Sequence, residues 1–104
     1  MQDKKSSFGE FIRKMRQTRG EPLRVVAAAV GIDSTLLSKL EHGDRFPTGA
    51  QISKFAKFFK LPEQEVTGRV IADKVTSEYD DEAALHAAHI LIERAAPYKT
   101  NNSK

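Results

Sequence analysis

Residues 22–43, PLRVVAAAVGIDSTLLSKLEHG, constrain this chain more than any other stretch, because they read as two short helices held at a fixed angle by a tight turn. Val25, Val26 and Ala29 supply the apolar positions of the first helix. Gly31 can take the positive φ that closes it, and Ile32 drops an apolar side chain into the turn. Asp33 or Ser34 can accept a hydrogen bond from the free amides that open the second helix, whose apolar positions are Leu36, Leu37 and Leu40. The second helix therefore begins with small polar groups.

Upstream, Ser7 and Glu10 read as a capping box that opens a helix. Phe8, Phe11, Ile12 and Met15 fall at i, i+3, i+4 and i+7, one stripe of an α-helix, with Arg13, Lys14 and Arg16 around it. Gly20 ends that helix, and Pro22 starts the next where its missing N–H is harmless. Downstream, Thr48 with Gln51 forms another capping box. Ile52, Phe55, Ala56 and Phe59 repeat the helical template, with Lys54, Lys57 and Lys60 outside. A fifth helix starts after Leu61 and Pro62, carrying Val66, Val70 and Ile71 on its apolar side. Residues 75–79 are rich in β-branched and aromatic side chains and are expected to form a connector. Asp80 or Asp81 caps a sixth helix, expected to run to about residue 95 and to stop at Pro97.

The chain has 104 residues, enough for one modest core with an accessory element. It has no cysteine, which excludes disulfides and thiolate metal sites, and no apolar run long enough for a membrane span. The N-terminus has two lysines but no apolar stretch after them, so no secretory signal is expected and the protein is placed in the cytoplasm. Charge is divided unevenly: residues 1–60 hold twelve Lys and Arg against six Asp and Glu, a net +6, whereas residues 61–104 hold five against eight, a net −3. A basic first part suits a polyanion, since each cation placed on a phosphate releases counterions. Small polar groups at a helix start suit insertion into a DNA groove.

Between residue 8 and about residue 66 the chain resembles the Cro/C1-type (XRE) helix-turn-helix family. The resemblance rests on the glycine of the turn, Gly31, the apolar residue beside it, and the run Leu37, Ser38, Lys39, Leu40, Glu41, His42, Gly43 that closes the recognition helix. It implies an all-α fold: a five-helix, lambda-repressor-like DNA-binding domain over residues 1–67, with residues 68–104 as an extension carrying one further helix. It also implies a sequence-specific transcriptional regulator that places its recognition helix in the major groove of an operator. By position, the base readers would be Ser34, Thr35, Ser38 and Lys39. Arg24, His42, Arg45 and Thr48 would lie along the DNA backbone. Many members hold a phosphate with a glutamine at the start of the second helix; here that residue is Leu23, and Arg24 is the substitute. Arg16 and Glu41 match a pair that in some relatives joins the first and third helices as an ion pair.

One recognition helix reads few base pairs, so a homodimer on palindromic double-stranded DNA is expected. The sixth helix, with Leu85, Ala88, Leu91 and Ile92, and the apolar side of the fifth are the expected dimer interface; the other reading is that the sixth helix folds back on its own domain. His86, His89 and Glu93 are spaced for a surface metal site or for pairing of Glu82 with His86 and His89 with Glu93, and the pairing is preferred. No metal, cofactor or membrane partner is expected, and no enzymatic motif is present. Controllers of restriction–modification genes and antitoxin-type autorepressors fall within the resemblance, and a helical protein-interaction adaptor is the reading from another class.

Overall fold

The computed structural model describes residues 6–102, with side chains through residue 95. It contains six helices and, among the described residues, no strand: α1 (Ser7–Thr18), α2 (Leu23–Val30), α3 (Ser34–His42), α4 (Gly49–Phe59), α5 (Glu63–Glu78) and α6 (Asp81–Asn102). The chain divides into two compact units, one ending at Lys74 and the other beginning at Val75.

In the first unit the apolar stripes expected on α1 and α4 point inward. Phe8 and Ile12 of α1 and Ile52, Phe55, Ala56 and Phe59 of α4 are buried, with Phe11 and Met15 packed at the edge. Phe8 and Phe55 meet edge to face, ring centroids 5.3 Å apart, the geometry that the ring quadrupoles favour. The inward face of α2 differs from the expected one: Val26, Ala27 and Val30 are buried, whereas Val25 and Ala29 are exposed. Seven of its eight residues are apolar, so periodicity cannot choose a face, and packing against α3 and α4 decides. Leu23, its first residue, is half-buried and packs against the core.

The first cap is one residue earlier than expected. Ser6, not Ser7, is the N-cap of α1, its Oγ accepting from Gly9 N at 2.8 Å. The reason lies far along the chain. Asp73 of α5 is buried, and its carboxylate accepts from Ser6 Oγ (2.7 Å), Ser7 N (2.6 Å) and Phe8 N (2.9 Å). An anion set against the positive end of a helix dipole and against amides without intrahelical partners is stabilising. Arg69 adds a second tie, its guanidinium 3.9 Å from the Phe11 ring centroid and its Nη1 donating to Ser7 Oγ at 3.3 Å. Because these contacts sit on Arg69, Val70 and Asp73, the first unit reaches past residue 67 to Lys74.

Two further expectations change. Ile71 is exposed, since Val66, Val70 and Asp73 occupy the buried face at i, i+4 and i+7. The expected connector is helical as far as Glu78, the helix begun on the core overriding a weak local preference. Asp80 caps α6 by accepting from Ala83 N at 2.8 Å. That helix continues through Pro97 to Asn102; the proline's φ is helical, and the lost donor and the clash with the preceding turn do not end the helix there.

Candidate nucleic-acid interface

The turn between α2 and α3 follows from Gly31, whose φ of 81° lies in the left-handed region that a β-carbon disfavours. The chain then folds back, Ile32 N donating to Ala27 O at 2.9 Å. Asp33 caps α3 by accepting from Leu36 N at 2.8 Å, and Gly43, also at φ 81°, ends that helix. A β-carbon on Gly43 would stand 2.9 Å from Ser6 Cβ, so the end of α3 lies directly against the start of α1. Closer still is Gly9, where a β-carbon would fall on the carbonyls of Leu40 and Glu41.

These contacts set how α3 is turned. Leu37, Leu40 and Glu41 face inward. At 100° per residue, the side opposite them carries Thr35, Lys39 and His42, all exposed, with Ser34 and Ser38 half-buried along one flank and Leu36 half-buried along the other. Of the residues expected to read bases, Thr35 and Lys39 lie on the outward side together with His42, while Ser34 and Ser38 lie on the flank beside it.

Glu41 is the polar member of the inward face, 5% exposed. Arg16 of α1 meets it with two parallel contacts, Nε to Oε2 at 2.8 Å and Nη2 to Oε1 at 3.1 Å, and Arg16 Nη1 donates to Glu21 O at 3.0 Å. The hydrogen bonds that Arg16 donates to the Glu41 carboxylate hold the pKa of its guanidinium above the ordinary value, against the opposing effect of burial. Charge-assisted and bidentate, the pair fastens the recognition helix to α1 and to the link before α2.

The residues expected along the backbone differ in what they can offer. Arg24 in the first turn of α2 and Arg45 in the α3–α4 loop are exposed cations. Thr48 is the N-cap of α4: its Oγ1 accepts from Gln51 N at 3.1 Å while Gln51 Oε1 accepts from Thr48 N at 2.9 Å. With its oxygen so engaged, the threonine keeps its hydroxyl proton to donate outward. His42 Nδ1–H donates to Ser38 O at 2.8 Å. The inward packing of Leu23 keeps it from any such contact.

Asp73 and Gly9 are the residues that sequence reasoning missed. An acid completing the Val66, Val70 stripe was a readable signal for the first; nothing local marks the second. In the second unit, Leu85, Leu91 and Ile92 are 62%, 61% and 67% exposed, and Ala88 is half-buried. Among the described residues, no three His, Asp or Glu side chains are grouped to hold a metal ion, and no helix is long and apolar enough to cross a membrane.

A family profile described as a helix-turn-helix domain matches residues 7–67. The HTH-type transcriptional repressor RghR of Bacillus subtilis (strain 168) is 28% identical over 97 residues, covering 92% of this chain and 70% of that protein. The uncharacterized HTH-type transcriptional regulator RghRB of the same organism is 38% identical over 58 residues, 55% of this chain and 42% of that one. Among solved structures, the restriction–modification controller protein C.AhdI from Aeromonas hydrophila superposes with a TM-score of 0.54 at 24% identity, over 59% of this chain and 92% of that one.

Proposed function

Since the chain belongs to the helix-turn-helix family, in its Cro/C1-type (XRE) branch of DNA-binding transcriptional regulators, we propose that it acts as a homodimer on a palindromic operator. In this reading α3 enters the major groove with Ser34, Thr35, Ser38 and Lys39 on base edges. Lysine donates to guanine O6 and N7, and hydroxyls serve either base type. Arg24, Arg45, Thr48 and His42 hold the phosphates on either side, which positions the helix without specifying sequence. The observation that carries the reading is the turn of α3 about its axis: its inward side is tied down by Leu37, Leu40 and the Arg16–Glu41 pair, and its outward side carries small polar and cationic groups.

In this reading the unit that ends at Lys74 reads the DNA and the unit that begins at Val75 is the pairing extension. A two-fold dimer sets two recognition helices on half-sites about one helical turn apart, roughly 34 Å. Repression is the direction of control that we propose, on the strength of the relative named as a repressor, which spans 92% of this chain. The test is selection of bound sites from random DNA, with sedimentation of the free protein. Inverted half-sites and a dimer are expected; direct repeats or single half-sites bound by a monomer would refute the dimeric reading.

A further inference from the structure

Resting on the phosphate contact proposed for Arg45, we propose that Phe46 and Lys74 are its positioning residues: α5 reaches back to the α3–α4 loop and holds it where Arg45 meets the DNA backbone. The loop is anchored at both ends. On the α3 side, Gly43 takes its positive φ and Asp44 N donates to Lys39 O at 2.9 Å. On the α4 side, Pro47 is buried and Thr48 is closed into its capping box. Arg45 and Phe46 stand between these anchors, both exposed. The tie that reaches them comes from α5: Lys74 Nζ lies 5.7 Å from the centroid of the Phe46 ring, within the range over which a ring face attracts a cation. Of the six phenylalanines, the other five belong to the core or pack against it, and Phe46 does not. Its ring is placed for Lys74 rather than for packing.

Lys74 is held there by its neighbour. Asp73 accepts from Ser6 Oγ, Ser7 N and Phe8 N, which pins this turn of α5 to the start of α1. Ser6 in turn lies against Gly43, where a β-carbon would stand 2.9 Å from Ser6 Cβ. Two consecutive residues of α5 therefore act on one loop, Asp73 through Ser6 at its first residue and Lys74 directly at Phe46. Fixing the Phe46 ring fixes the backbone from which the Arg45 side chain departs. Arginine loses rotamer freedom when it grips a phosphate, and a loop already held in place adds no ordering of its own to that loss. A cation–π contact at an exposed site corresponds to about a two- to fivefold change in an equilibrium. Two such loops act in a dimer, so the effects multiply.

Operator affinity is measured over a range of salt for three substitutions, each alone and combined with Arg45→Ala. Phe46→Leu removes the ring face, Phe46→Tyr keeps it, and Lys74→Met keeps the stem but removes the ammonium. Phe46→Leu and Lys74→Met should each weaken binding about five- to thirtyfold, and Phe46→Tyr should bind like the parent protein. With Arg45 already replaced, neither substitution should weaken binding further by more than about twofold. Phe46→Leu, although it removes no charge, should also lower the slope of log affinity against log salt, because it takes Arg45 off its phosphate. A loss as large without Arg45 as with it would overturn the inference, and for Lys74→Met would mean that the ammonium itself meets DNA. Unchanged affinity for both, with Arg45→Ala still weakening binding, would overturn it and leave the phosphate contact standing. Arg45→Ala without effect would remove that contact and this inference with it. Lys74 is exposed, so Lys74→Met decides the outcome even where Phe46→Leu perturbs folding.

Discussion

At the scale of single residues, the two inward-facing carboxylates each hold a helix in place. Glu41 joins α3 to α1 through Arg16, with side chains 3% and 13% exposed. A pair so desolvated adds little over well-packed apolar groups, yet removing one partner strands the other's charge. Glu41→Ala should therefore destabilise the fold by about 2 to 3 kcal/mol in urea denaturation, with DNA affinity falling only as the folded fraction falls. Unchanged stability with lost binding would reassign Glu41 to the interface. Asp73 accepts three hydrogen bonds at the start of α1, and Asp73→Ala should cost about 1 to 3 kcal/mol. Hydrogen exchange locates that loss: the Phe8 amide should exchange faster in the variant, and unaltered protection there would contradict the assignment.

Among the elements, α3 depends on its neighbours for the direction in which it presents its side chains. Gly9 lets α1 pass directly over the last turn of α3, so Gly9→Ala forces the two apart and should cost at least about 2 kcal/mol; thermal unfolding within a degree of the parent protein would disprove that crossing. The roles proposed along α3 and its following loop separate in binding experiments. Lys39→Ala should relax base preference at one position of each half-site by about 1 to 3 kcal/mol of discrimination. Arg45→Ala should weaken all sequences alike. Comparing affinities over a panel of single-base operator variants distinguishes the two, and a uniform loss for Lys39→Ala would move that residue to the backbone. The helical stripes of α1 and α4 were readable because their polar and apolar residues alternate with a clear period. The buried face of α2 and the reach of α5 were not: α2 is apolar nearly all round, and α5 continues through residues whose local preference is ambiguous.

For the whole molecule, the uneven charge of the sequence becomes a division of labour. The first sixty residues carry the net +6 and all the proposed DNA contacts, while the remainder carries −3 and the exposed aliphatic side chains of α6. Each dimer would set two copies of Arg45 on phosphates, so Arg45→Ala should reduce the slope of log affinity against log salt by about 2. A slope unchanged by the substitution would mean that Arg45 meets no phosphate. The number of helices, the capped turn at Gly31 and the polar edge of α3 follow from the sequence alone, because periodicity, caps and glycine act over a few neighbouring residues. Which side of α2 is buried, how closely α1 crosses α3, and the cap that Asp73 lends to α1 from sixty-five residues away were decided only in three dimensions. Those depend on which distant surfaces meet, and a local pattern carries no record of that.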